Sequence, residues 1–570
     1  MENVMTVGAN KKGLSLASIL LSASMLATGS CGLVSEYILS TVSTYILGNA
    51  IEQFSIVIAL MMLMMGLANY VQKFMSDENL IEKFIVTEII IAILGGFSPI
   101  AILAVFGIMN NHFTLVLYLL ACSIGFLIGL EIPLVLRINE KYSETLTVNL
   151  SRIVSFDYFG SFVGAIIWIY LLRKFPLTEI SFIVAGVNFM VAVLTFWYFI
   201  KMSLVSRKLL ILIAILLTSS CLMTGYWHNR DLEINLEQRL YRDRIIFSKT
   251  TKYQRIVMTH NIASNEYRFY LNGNLQFSSK DEYIYHELLV HPAMALHKNV
   301  HRVLILGGGD GMALREVLKY DSVESVTLVD LDEGMTDLSA NNPVLRKLNQ
   351  DSFRDARLNV LITGSVVSSG RRSVFAETDE STYSDEKLTG KYAQKIAQVD
   401  IFNIDADRFI QDVHDNWDLV IIDFPDPNSI ELAKLYSKEF FLKLESVMAP
   451  NGIFVIQATS PYHAKEAYLC IQRTIGAAGF NTIPFHENVP SFGDWGWFLG
   501  WRKNEDASLS MKSRLENLDI RADTKYLTPQ IFQRAMTFGK GELKSDFTDI
   551  STLMRPVILD LYLRYCWIAE

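Results

Sequence analysis

Seven stretches nearly free of charge, all before residue 230, constrain this 570-residue chain more than any other feature. Residues 14–35, 54–72, 89–111, 113–130, 180–200 and 209–227 carry no charged side chain, and 153–172 carries only Asp157. Each is close to the ~20 residues that cross ~30 Å of hydrocarbon as a helix. The first apolar region runs on to residue 51 with Glu36 as its one charge. That length predicts one crossing plus an interfacial segment, and it exceeds the ~7–15 apolar residues of a cleaved signal peptide. The chain is therefore expected to open with a membrane domain of about seven helices over 1–230, set in a lipid bilayer. Glu88 and Glu131 are expected near span ends, within reach of water. Glu36 and Asp157 are expected deeper, as a cation site or as protonated packing partners.

Loop cations set the expected orientation. Lys11, Lys12, Lys73, Lys83, Arg137, Lys141, Arg152, Lys201, Arg207 and Lys208 fall on one side, against Arg173 and Lys174 on the other. The bias puts the N-terminus in the cytoplasm, and seven crossings then leave everything after 230 outside. The expected location is a multi-pass position in the cell membrane, with the side of the second half undecided. A net charge of −8 without any basic cluster argues against a nucleic-acid partner. The five cysteines show no metal-ligand or disulfide spacing.

After 230 the composition becomes that of an ordinary globular domain. Strand-like segments over 241–277, turning at Asn272-Gly273, precede a helical stretch over 281–296. Then apolar strands alternate with helices: 303–307, 325–330, 399–405, 418–423 and 452–458. Runs that are apolar on both faces predict a parallel sheet covered on both sides. The expected division is a small β-region with its helix over 231–300, an α/β Rossmann-like domain over 301–504, a polar insert at 364–398 and a mainly helical tail over 505–570.

The segment VLILGGGDGMALREVL (303–318) joins the first strand of that domain to a helix. Its glycines, Gly307, Gly308, Gly309 and Gly311, suit a nucleotide at the carboxyl end of a strand, and the lack of GK[ST] excludes a P-loop. Asp330, about 20 residues on, suits two ribose hydroxyls. Asp310 repels a pyrophosphate and attracts a ligand bearing a sulfonium and an ammonium. An aspartate there also serves simply to cap the next helix. Asp405, Asp423 and Asp426 end further strands of the same sheet. Tyr253, Gln254, Asp281, Glu282, His286 and Glu287 stand just before it.

These segments resemble the spermidine synthases, the polyamine aminopropyltransferases. The likeness lies in GGGDG-x-x-x-REVL, YQ (253–254), LNGNLQ (271–276), DEYIYHE (281–287), VDLD (329–332), DADRF (405–409) and IDFPDP (422–427), in that order. The whole chain looks like the family's membrane-bound branch. The resemblance implies a methyltransferase-type Rossmann-like fold, decarboxylated S-adenosylmethionine as co-substrate, a diamine acceptor such as putrescine, and neither cofactor nor metal. It implies Asp423 as proton acceptor with Tyr253 beside the attacking amine. It implies donor contacts from Gln254, Asp281, Gly307, Gly309, Asp310, Asp330, Asp405 and Ala406, and acceptor contacts from His286, Asp426 and Tyr253. A homo-oligomer is in keeping with it. Departures are Asp330 where relatives carry Glu, Phe424-Pro425 between the two acids, the absence of Gly-Pro after Pro427, and the insert. The rival expectations are an S-adenosylmethionine-dependent methyltransferase and a membrane transporter or sensor that only binds polyamines.

Overall fold

The computed structural model describes residues 11–565 apart from 48–49, 109–111, 141–144, 173–174, 298, 356–357, 364–397, 504–510, 512 and 516–517. The insert expected at 364–398 thus lies, but for Gln398, outside the described residues. The chain divides into two compact units, 1–250 and 251–570. The division falls later than residue 230 because the seventh helix continues through a charged last stretch to Glu237, followed by the strand β1 (Arg244–Thr250).

Unit one contains seven long helices among its described residues: α1 (Lys11–Leu47), α2 (Ala50–Val71), α3 (Leu80–Ile108), α4 (Phe113–Asn139), α5 (Leu146–Tyr170), α6 (Leu177–Lys201) and α7 (Lys208–Glu237). All seven are long and apolar enough to cross a membrane. The first is one continuous helix, so the expected break into a crossing and an interfacial piece is not seen. Glycines let helices meet backbone to backbone: a Cβ on Gly160 would stand 2.1 Å from the Leu26 carbonyl oxygen. The expectation that Glu88 and Glu131 reach water is not met. Glu88 and Glu131 are fully buried, whereas Glu36 and Asp157 are half-buried. α3 begins about two turns before Glu88 and α4 continues about two turns past Glu131, so both acids lie within packed helix.

Unit two opens with the strands β2 (Arg255–Asn261), β3 (Glu266–Leu271) and β4 (Asn274–Ser278). Asn272 and Gly273 both take positive φ at the predicted turn, the geometry of a tight hairpin. Helix α8 (Glu282–Leu296) leads into an eight-stranded sheet. Its strands are β5 (Arg302–Gly307), β6 (Ser325–Asp330), β7 (Leu358–Thr363), β8 (Gln398–Asn403), β9 (Trp417–Asp423), β10 (Met448–Gln457), β11 (Phe480–Val489) and β12 (Gly493–Arg502), ordered β11-β12-β10-β9-β5-β6-β8-β7. The six strands from β7 to β10 are parallel, as expected. The sheet as a whole is mixed, because β12 pairs antiparallel with β10 and β11 with β12. Pro484 in β11 is tolerated because that strand lies at the sheet edge. Side chains alternate between two cores: Val303 and Ile305 face one, Leu304 and Leu306 the other.

The tail is less helical than expected. Between 518 and 565 it forms only two helices, Pro529–Ala535 and Val557–Tyr565. Pro529 and Pro556 sit at helix starts, while Gly539 and Gly541 interrupt the segment between.

Candidate active site

Five adjacent parallel strands end in Asn403, Asp330, Gly307, Asp423 and Gln457, in spatial order. The register sets Gly307 directly beside Asp423 and Asp330 beside Asn403. β5 lies where the chain turns to opposite sides of the sheet, the place where open α/β sheets bind ligands. Gly307 has φ +84°, and a Cβ on it would come within 2.1 Å of the Asp423 carbonyl oxygen. At Gly309 a Cβ would meet the Asp330 carboxylate at 2.6 Å. The loop must be glycine for the acids to come this close.

Asp330 accepts bonds from the Gly309 N–H (3.0 Å) and the Asp332 N–H (2.9 Å). Burial pushes its pKa up to about 6, with those backbone bonds opposing. Gln254 donates to Asp332 at 2.8 Å, which ties the turn before β2 to the VDLD segment. Asp310 accepts from the Met312 N–H at 2.9 Å, so it does cap α9 (Met312–Val317) while its other oxygen faces His286 Nε2 at 3.8 Å. Asp281 is held by the Ser491 N–H (2.7 Å) and hydroxyl (3.0 Å), and burial raises its pKa. Asp405 caps the helix that Ala406 begins and pairs with Lys434 at 2.5 Å.

His286, Asp310 and Asp423 each offer one atom within 4.8 Å of the others. That spacing would suit a metal, but the histidine's charge argues for another role. Its Nδ1 faces the Glu282 carboxylate at 2.9 Å and the Glu282 carbonyl at 2.8 Å. Burial lowers its pKa, but Glu282 and Asp310 outweigh that and push it up to about 9. With that proton His286 is the local cation among acids. Glu282 is itself gripped by Arg315 through two bonds of 2.9 Å. The neighbouring Glu316 takes Arg315 at 2.8 Å and His291 at 2.7 Å. This ties DEYIYHE to REVL: Glu282 and His286 of the one and Arg315 and Glu316 of the other form one buried network between α8 and α9.

Asp423 accepts from the Tyr285 hydroxyl at 2.6 Å. Burial and the Asp310 charge push its pKa up to about 6, against His286 and Tyr285. Asp426, also pushed up to about 6 by burial, accepts from Tyr562 (2.8 Å), Gln457 (3.4 Å) and Thr459 (3.5 Å). Thr459 adopts φ +60°, a strained conformation for a β-branched residue and one that clusters at functional sites. Tyr253 stands on the turn before β2, 44% exposed, and the phenol bonded to Asp423 is that of Tyr285.

The structure thus gathers Asp310, Asp423 and His286 at one point. Asp330 and Asp426 stand at neighbouring strand ends. Two acids of DEYIYHE turn outward from the site: Glu282 serves the network, and Glu287 accepts the N–H groups of Lys525, Tyr526 and Leu527 at 2.6–3.0 Å. Sequence reasoning missed Tyr285, Gln457, Thr459, Ser491 and Tyr562. Tyr285 was within reach, since it adjoins His286 in the motif. The others act from segments that show no motif.

Residues 282–367 and 385–513 match the family model described as the spermine/spermidine synthase domain. A polyamine aminopropyltransferase of Leptospira interrogans is 37% identical over 90% of this chain and 92% of its own length. Polyamine aminopropyltransferase 2 of Ralstonia nicotianae is 34% identical over 94% of this chain and 97% of its own. The crystal structure of spermidine synthase from Thermotoga maritima aligns with a TM-score of 0.41 at 23% identity, over 53% of this chain and 87% of that one.

Proposed function

Because the chain belongs to the spermine/spermidine synthase family and is an aminopropyltransferase, we propose that it moves the aminopropyl group of decarboxylated S-adenosylmethionine to putrescine, giving spermidine and methylthioadenosine. The methyltransferase alternative falls with the family assignment. The observation that carries the site reading is the register of Gly307 beside Asp423, which sets a nucleoside-sized loop next to an acid of raised pKa. The site's acids are costly to ionise while empty. A donor with a sulfonium and an ammonium, and an acceptor with a distal ammonium, offset that cost.

The chemistry follows from those charges. The amine nitrogen attacks the carbon bonded to sulfur; the C–N bond forms as the C–S bond breaks, and sulfur keeps the electron pair as a neutral thioether. The reaction is largely one of alignment. The attacking nitrogen needs its lone pair, so the acceptor's ammonium gives one proton to Asp423 as it attacks, and the product nitrogen keeps its charge as a secondary ammonium; a pKa near 6 makes Asp423 a better base than an ordinary aspartate near ~3.9. Tyr285 orients Asp423, and the protonated His286 keeps it from being neutralised. Asp330 takes the ribose hydroxyls, with Gly307 and Gly309 letting the nucleoside approach. Asp281, Asp310, Gln254, Asp405 and Ala406 complete the donor side. Asp426 holds the amine that does not react, and Tyr253 lies beside the one that does. The purified full-length protein in detergent is expected to produce methylthioadenosine from this donor and putrescine, at a rate that a chelator leaves unchanged. A folded, donor-binding preparation that turns over no diamine would overturn the reading.

We further propose that the seven helices cross the cell membrane and that the catalytic unit faces the cytosol, where S-adenosyl compounds are made. Helix length supports crossing: the 22 residues of α2 extend about 33 Å. The loop cations favour the opposite side, so the two arguments are set against each other by one measurement. Met554 is 95% exposed. A Met554→Cys variant is expected to react with an impermeant thiol reagent only after cells are opened. Labelling of intact cells, above that of the parent protein, would put the catalytic unit outside.

A further inference from the structure

The two acids that flank Phe424-Pro425 are each bonded to a phenol, and the two phenols come from opposite ends of unit two. Tyr285 of α8 holds Asp423, and Tyr562 of the C-terminal helix holds Asp426. We propose that Tyr562 is a specificity-determining residue of the acceptor site, and that the C-terminal segment is the strap that delivers it. The proposal rests on the assignment of Asp426 to the diamine's distal ammonium.

Three donors reach Asp426, and they are unequal. The bonds from Gln457 and Thr459 are long, at 3.4 and 3.5 Å, whereas that from Tyr562 is 2.8 Å. The Gln457 amide is also engaged by the Phe424 carbonyl (2.5 Å) and the Tyr436 hydroxyl (2.7 Å). Tyr562 is therefore the main restraint on the rotation of this carboxylate. Tyr562 and Thr459 share one oxygen; the other takes only the long bond from Gln457 and keeps room for an ammonium, so the carboxylate is set before the ligand arrives.

Tyr562 is itself well placed to be fixed. Ile558, one turn earlier on the same face, is fully buried, and Leu559 and Leu561 are buried beside it in the second core. Upstream the segment is tied at intervals. The Glu287 carboxylate takes three N–H groups of 525–527. The Asp549 carbonyl accepts from Arg473 at 3.0 Å, and the Ser551 carbonyl accepts from the Lys438 N–H at 2.9 Å. The Leu553 N–H donates to Glu439 at 3.0 Å. A segment with so little helix is held by side chains along its length, and the position of one hydroxyl depends on all of them.

The test compares two acceptors with purified full-length protein: putrescine, with two ammonium groups, and n-butylamine, which lacks the distal one. The readout is the ratio of their kcat/KM values. Tyr562→Phe removes only the hydroxyl and is expected to lower that ratio about tenfold, the size of one hydrogen bond to a charged group, with the melting temperature held within a degree or two. Asp426→Asn is expected to lower it further. An unchanged ratio in Tyr562→Phe beside a collapsed ratio in Asp426→Asn overturns the role of Tyr562 alone. An unchanged ratio in Asp426→Asn overturns the acceptor assignment and the proposal with it. A fall in both rates by the same factor would assign Tyr562 to folding rather than to specificity.

Discussion

Asp423→Asn is expected to lower kcat by about 10²–10⁴, the usual cost of losing a positioned general base. The change keeps the size of the side chain and the bond from Tyr285, and it removes the proton acceptor. The pH profile carries the sharper signature. The Asp423 pKa is raised to about 6 by burial and by Asp310. A base must be ionised, so kcat/KM for the wild-type protein should hold above that value and fall as pH drops through about 6. An ordinary aspartate would postpone the fall to near ~4. This limb belongs to the coupled group of Asp423, Asp310 and His286 rather than to one residue. In the variant it should vanish, and the residual rate should climb toward pH 10 as more acceptor amine is free. Asp426→Asn should instead act mainly on KM for the diamine. Rates of both variants from pH 5.5 to 10 at saturating donor decide the matter; a near-normal kcat for Asp423→Asn at pH 7 would remove it from proton transfer.

Arg315→Met is expected to be the most destabilising single change in unit two. Arg315 is 5% exposed and faces Glu282 and Glu316, both buried. Burial raises the pKa of each acid, yet the hydrogen bonds of His286 and His291 and the charge of Arg315 hold both down to about 2. Removing the guanidinium leaves Glu282 with only His286, and Glu316 with His291 and Lys319, as charged partners for two buried carboxylates, a loss of about 3–5 kcal/mol. For a unit of this size that corresponds to a fall of roughly 5–7 °C in melting temperature. Adding Glu282→Gln to Arg315→Met should recover part of the loss, because one of those charges goes with it. A thermal scan that places the single variant within a degree of wild type would show that the network contributes little. The network also links stability to chemistry, since Glu282 is what keeps His286 charged beside Asp310 and Asp423.

Much of this was legible before any coordinates. The apolar runs that end in Gly307, Asp330 and Asp423 are visible because parallel strands are buried on both faces and the first charge marks where each leaves the core. The membrane-length helices show for the same reason. The β11–β12 hairpin is hard to read from sequence: GDWGWFLGWR has no clean alternation, and Pro484 speaks against a strand unless the edge position is known. That Glu88 and Glu131 are closed off from water is not legible in sequence, because hydropathy marks where charge begins, not where a helix ends. In DEYIYHE the acids are chemically alike, and only tertiary placement separates Asp281, held by Ser491, from Glu282 on Arg315 and Glu287 on the amides of 525–527. Tyr562 lies 136 residues from its partner Asp426, and no spacing rule reaches that far.

The grip of Glu287 on three successive amides has a consequence for the motions of the domain. Segment 525–527 lies outside any helix or strand, yet its N–H groups are as engaged as those of a core strand. The carboxylate cannot release one amide without losing part of its shell of donors, so the three are coupled and 525–527 detaches as a single cooperative piece or not at all. The free energy of that opening, rather than the flexibility of a loop, then sets how often these three amides exchange with solvent.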